Sequence, residues 1–177
     1  IKKTSQLPFW STYNGCAFHD LIINGKIVTL VNTHLESNKI TSDDKQLYAD
    51  FLKADKDIKL GDVTSNIKGK LTHAFTIREE QSDLINGQIK NLKTYGTIIC
   101  GDFNDTPISY TYNRMKGDLV DSFVETGRGL GITYHENMFL FRIDYIFHSI
   151  NMKAYNMKVG DQKHSDHYPV WTDLIFK

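Results

Sequence analysis

The chain has 177 residues, 40% of them hydrophobic, 24% charged and 12% aromatic, enough for one domain with a real core. Its 21 basic residues balance 21 acidic ones, which excludes a global positive field drawing it onto nucleic acid or an anionic membrane, while a local basic groove stays open. No apolar run of transmembrane length is visible, and because the chain opens on Ile1 rather than methionine, targeting signals cannot be read from it.

In chain order, residues 1–15 are polar and aromatic with Pro8, Asn14 and Gly15, and read as an opening loop or edge strand. Ala17–Ile23 is a predicted strand, joined through Asn24-Gly25 to a partner over Lys26–His34. Asn-Gly between two apolar runs is the strongest short hairpin signal. Ile27–Val31 is apolar on both faces, which predicts a strand covered on both sides. Ser42–Ala54 reads as a helix, with Ser42 as cap, Asp43 and Asp44 at its positive end, and Leu47, Tyr48, Phe51 and Leu52 as its apolar stripe. Residues 55–75 read as a loop or short helix. Thr76-Ile77-Arg78-Glu79 has the form of a capping box and predicts a helix from there to about Leu92. Cys16 and Cys100 sit in apolar runs and read as buried thiols rather than a disulfide.

Ile98-Ile99-Cys100 reads as a buried strand arriving at its C-terminal end. Gly101 permits a tight backbone there, Asp102, Asn104 and Asp105 crowd oxygen-bearing side chains together, and Thr106-Pro107 stops the strand. Such oxygens suit a hard cation or an attacking water, although an isolated Asp-Phe-Asn is more often a plain turn. Beyond it, Ser109–Met115 predicts a short helix closed by Gly117, and Gly127–Gly131 a flexible loop rather than a phosphate cradle, since no helix start follows. Arg142–His148 alternates as a strand, and Pro169–Phe176 is the last one. Strands and helices in this order predict an α/β or α+β sandwich.

Four polar clusters interrupt these runs: Asn32-Thr33-His34, Asp102 with Asn104, Asp144, and Ser165-Asp166-His167. Each alone has a plain explanation. His34 alone reads as a satisfied or exposed histidine, Asp144 as an ion pair with Arg142, and Asp166-His167 as a turn before Pro169. Together they place acids and imidazoles at strand ends, where loops present side chains to one face. That inventory suits metal-assisted attack of water on a phosphate ester.

Val31-Asn32-Thr33-His34-Leu35, Cys100 to Pro107, Arg142-Ile143-Asp144-Tyr145-Ile146 and Ser165-Asp166-His167-Tyr168-Pro169-Val170 together resemble the endonuclease/exonuclease/phosphatase superfamily of deoxyribonuclease-like, Mg²⁺-dependent phosphoesterases. The resemblance runs from about Asn14 to the C-terminus. It implies Asp166 as a carboxylate on the metal side, and His167 polarising the phosphate or taking a proton from water. Asp144 would hold the tautomer of His167, Asp102 would align or deprotonate water, and Asn104 would hold water and a phosphoryl oxygen. His34 would contact the phosphate or assist the leaving oxygen, with Asn32 and Arg78 as supporting positions. The implied cofactor is Mg²⁺, with Mn²⁺ as the alternative.

The resemblance also implies part of a four-layer α/β/β/α sandwich. The chain then reads as the C-terminal portion (1–177) of a single such domain, without the opening strands of the first sheet and the glutamate that anchors the ion. It follows that the intact protein is expected to be the enzyme, and the chain alone to bind metal weakly, with an apolar sheet face open to self-association. The expected substrate is a phosphodiester, DNA or RNA first, with a phospholipid or small-molecule phosphate ester as the alternative. A catalytically inactive binding module of the same fold is the second alternative.

Overall fold

A computed structural model describes residues 1–9, 11, 13–41, 43, 44, 46, 60–136, 139–162 and 164–177. Of the helix expected over Ser42–Ala54, only Asp43, Asp44 and Gln46 fall within that range, and they are helical. The rest lies outside the described residues.

The architecture is mixed α+β. Five strands, β1 (Lys3–Leu7), β2 (Gly15–Ile23), β3 (Lys26–His34), β4 (Gly96–Asp102) and β5 (Val120–Asp121), are joined by β8 (Asp144–His148) in one sheet of order β1-β2-β3-β4-β8-β5. The hairpin β2–β3 turns on Asn24 and Gly25, both at positive φ, as a tight two-residue turn requires. β3 and β4 run parallel, a pairing that needs a long crossover, and α1 (Leu60–Lys90) supplies it. The remaining ladders are antiparallel. Strands β6 (Tyr134–Glu136) and β7 (Phe139–Phe141) pair with each other, as do β9 (Met152–Val159) and β10 (Val170–Phe176).

Helix α1 starts well before the expected Thr76. The Thr76 hydroxyl donates back to the Thr72 carbonyl at 3.1 Å, the habit of a mid-helix threonine, so the Thr-x-x-Glu pattern there is no cap. Two short helices follow, α2 (Tyr110–Lys116), capped by Ser109 and closed by Gly117, and α3 (Ser122–Thr126), capped by Asp121.

Alternation in the strands sorts the sheet into two faces. Phe18, Val31, Ile99 and Phe147 point to one face, where Ile85 of α1 and Tyr112 and Met115 of α2 close a buried core with Phe103 and Tyr145. Ala17, Leu30, Ile98, Cys100 and Ile146 take the other face, where they are only half-buried and Asn32 is exposed. Val28 and His148, at the other end of that face, are fully buried, so the expectation that Ile27–Val31 is covered on both sides holds on the helix side and, on the other, at Val28 but only in part at Leu30. Both thiols are free, and burial pushes Cys16 up to about 12.

Candidate active site

Register places the acid and imidazole groups together. His34 ends β3 directly opposite Asp102 at the end of β4, and Asp102 in turn faces Asp144 at the start of β8. All three therefore share one face of the sheet. Gly101 makes this junction possible: its φ is +144°, and an added Cβ would lie 1.8 Å from the Thr33 carbonyl oxygen. Only glycine lets β4 approach β3 that closely. Past the strand, Asn104 sits at φ 51°, a left-handed conformation that asparagine tolerates. Its backbone N–H donates to Asp102 Oδ1 at 2.7 Å, and its amide donates to Asp102 Oδ2 at 3.1 Å and to the Leu35 carbonyl at 3.0 Å.

His167 Nδ1–H donates to Asp144 Oδ2 at 2.8 Å, which turns Nε2 towards Asp102, 3.9 Å from its Oδ2. On the other side, His34 Nδ1–H donates to the Tyr13 carbonyl at 3.1 Å, leaving Nε2 3.6 Å from the same Asp102 oxygen. Both gaps exceed direct hydrogen-bond length, the spacing at which an intervening oxygen can bridge. Burial, and then the neighbouring Asp144 carboxylate, push Asp102 up to about 6 against the pull of the Asn104 N–H and the two imidazoles. The hydrogen bond to Asp144 raises His167 above its ordinary value against the opposing effect of burial. A carboxyl near neutrality beside an oriented imidazole can exchange protons with water.

Asp144 does not pair with Arg142, whose guanidinium binds Asp121 at 2.8 Å instead. Donor atoms of Asp102, Asp144 and His167 all lie within 4.8 Å of one another, a group able to take part in holding a cation. Burial first, and then the Asp144 carboxylate, disfavour the charge on Asp102, and a divalent cation would offset the second of these. Asp166 is exposed, with its Oδ1 accepting from Ser165, and stands on the wall of the same cavity as His34, Asp102, Asn104 and His167. Asn32 lies on the His34 face but lines a neighbouring groove with Asn14. Arg78 is wholly buried below the site, where Nε donates to Asp105 at 3.2 Å and Nη1 to the Glu36 carbonyl at 2.7 Å. It ties the turn after β4 to the chain leaving β3.

Sequence reasoning missed Thr133. Its buried hydroxyl accepts from the N–H groups of Ile143 and Asp144 at 3.0 and 3.1 Å, while its carbonyl accepts from Tyr168 at 2.7 Å. The neighbouring His135 N–H donates to the Asp166 carbonyl at 3.0 Å. One segment thus fixes both Asp144 and the loop that carries His167.

The strand ends of the mixed sheet and the loop before β10 thus bring aspartates, histidines and an asparagine to one face. The chain belongs to the endonuclease/exonuclease/phosphatase family, whose model matches residues 9–167. Members of that family hydrolyse phosphate esters. No curated protein matches the sequence. Among solved structures, an endonuclease/exonuclease/phosphatase from Bacteroides vulgatus is 17% identical with a TM-score of 0.65, over 100% of this chain and 66% of its own. D. rerio TDP2 humanized by 14 mutations is 15% identical with a TM-score of 0.62, over 98% and 66%. The mannosyl-6-phosphatase of Bacteroides thetaiotaomicron is 19% identical with a TM-score of 0.59, over 92% and 57%. At these identities the likeness is one of fold. The chain spans 57–66% of the length of these structures.

Proposed function

We propose that the protein, acting as the whole molecule to which this chain belongs, hydrolyses phosphate esters by attack of water, with phosphodiesters as the first class. One observation carries the reading: Asp102 Oδ2 lies between the Nε2 atoms of His34 and His167, at 3.6 and 3.9 Å, with His167 turned by Asp144. Water attacks phosphorus as the P–O bond to the leaving group breaks. Asp102 takes the proton of the water, and protonated His34 gives one to the leaving oxygen. His167, positioned by Asp144, stabilises charge on the phosphoryl oxygens, and Asn104 fixes the Asp102 carboxylate.

Asp166 and the carboxylates of the cluster offer the oxygen ligands that Mg²⁺ prefers, and the imidazole makes Mn²⁺ the alternative. Such a cation, when bound, neutralises charge building on the phosphoryl oxygens. The test follows hydrolysis of plasmid DNA and of bis(p-nitrophenyl) phosphate by the full-length protein, with Mg²⁺ and after chelation. Chelator-sensitive turnover of either supports the proposal. Turnover indifferent to chelation removes the cation from it, and failure on both substrates removes the phosphodiesterase reading.

A further inference from the structure

The two imidazoles of the site are oriented differently. His167 is set by a carboxylate, whereas His34 is set by a backbone carbonyl, through the Nδ1–H bond to Tyr13 at 3.1 Å. The His34 side chain is 46% exposed, so packing alone does not fix its ring. Tyr13 is itself 88% exposed, and its side chain does little to hold that carbonyl in place.

The peptide between Tyr13 and Asn14 is instead fixed from its other end. Its N–H donates to Ser11 Oγ at 3.2 Å, and the same hydroxyl accepts from the Asn14 side-chain amide at 2.9 Å. That amide also donates to Glu36 Oε2, so both of its hydrogens are engaged. Glu36 is buried and held from three directions. Its N–H donates to Gln81 Oε1 at 2.9 Å, its carbonyl accepts from Arg78 Nη1 at 2.7 Å, and its other carboxylate oxygen binds Lys39 at 2.7 Å. A buried carboxylate is costly to place, and this one, just beyond His34 in the chain, ties the Tyr13–Asn14 peptide to α1.

We propose that Asn14 and Glu36 are positioning residues for His34: acting through the Tyr13–Asn14 peptide, they keep its Nε2 facing Asp102 and ready to deliver a proton. The inference rests on the phosphoesterase reading and deepens it. When His34 gives its Nε2 proton to the leaving oxygen as the P–O bond breaks, the ring is left neutral with its remaining hydrogen on Nδ1. That is the form the Tyr13 carbonyl already binds. Without the clasp the carbonyl is free to turn away, and the neutral ring can carry its hydrogen on either nitrogen. A clasp that only tied the chain entering β2 to the sheet would affect stability and leave the ring as it is, so the two roles separate by experiment.

The test reads ring and rate in the full-length protein, with Asn14→Ala, at a half-buried position, as the first variant. NMR of the nitrogen-labelled neutral His34 ring should show the hydrogen on Nδ1 in the parent protein and shared between both nitrogens in Asn14→Ala. With Mg²⁺, turnover of diphenyl phosphate by that variant should fall about tenfold or more, because the leaving phenolate needs the proton. Turnover of bis(p-nitrophenyl) phosphate, whose nitrophenolate leaves as a stable anion, should fall less than about threefold. Glu36→Ala should follow Asn14→Ala, and Glu36→Gln, which keeps an oxygen for the Asn14 amide, should retain most of what Glu36→Ala loses. A His34 ring still protonated on Nδ1 in folded Asn14→Ala would overturn the positioning role, whatever the rates. An equal fall on the two esters would overturn it as well, since proton delivery would not be what was lost. If the parent protein hydrolyses neither ester, the phosphoesterase reading itself fails, and the catalytic role of the clasp with it.

Discussion

Thr133→Val is the perturbation that links fold to site most tightly. Valine keeps the shape of threonine but removes the hydroxyl oxygen that accepts from the N–H groups of Ile143 and Asp144 at 3.0 and 3.1 Å. Thr133 and Ile143 are buried, so water replaces those bonds poorly. An orphaned buried donor costs about 1–3 kcal/mol, and with Asp144 only half-buried the sum lies at about 2–4 kcal/mol. That is a large share of the roughly 5–15 kcal/mol by which domains are stable. Thr133→Ser retains the acceptor and should lose only about 1 kcal/mol, the worth of one buried methyl. Urea unfolding of both variants measures the difference, and the His167 ring signal followed against pH shows whether its contact with Asp144 has loosened. Equal stability of the valine and serine variants, with an unaltered His167 titration, would refute the assigned role of Thr133.

Three further outcomes follow from the same geometry. Gly101→Ala places a Cβ 1.8 Å from the Thr33 carbonyl oxygen at a φ of +144°, so denaturant unfolding should show a loss of about 2–6 kcal/mol from strain and overpacking. Arg78→Met leaves Asp105 buried without its guanidinium, and unfolding should register a loss of about 3–5 kcal/mol. Asp144→Asn should lower the His167 pKa from its raised value, observed by NMR in metal-free protein. The sign is fixed by linkage: the stability gained from the His167 imidazolium–Asp144 pair is fully present below about pH 6.5, the unfolded value, and is lost as pH rises through the higher folded value. The asparagine variant should lack that component.

Much of this arrangement is legible in the sequence because its signals are local. Asn24-Gly25 marks the β2–β3 turn, Ser109 and Gly117 bracket α2, and Ile98–Cys100 marks the approach of β4 to Asp102. Elsewhere the local signal misleads. Helix α1 begins by Leu60 within a polar stretch containing Gly61 and Gly69, poor helix formers that tertiary context overrides. Strand β9 escapes notice because its buried positions, Met152, Ala154 and Met157, slip out of alternation at Asn156, whose φ is 54°. The role of Thr133 depends on partners 10 and 11 residues away, for which a lone threonine gives no pattern. The site residues themselves were readable as motifs. The placing of His34, Asp102 and Asp144 comes from the register of β3, β4 and β8, and that of His167 from the loop that Thr133 and His135 pin.

The central claim is that Asp102 and His167 work together on one phosphate ester. Its most direct test is the rate of bis(p-nitrophenyl) phosphate hydrolysis by the full-length protein, compared with its Asp102→Asn and His167→Ala variants under saturating Mg²⁺. Each single variant should fall on the order of 10²-fold or more, and the double variant little further, since groups acting as one unit are not additive. Near-parental turnover by either folded variant would contradict the account.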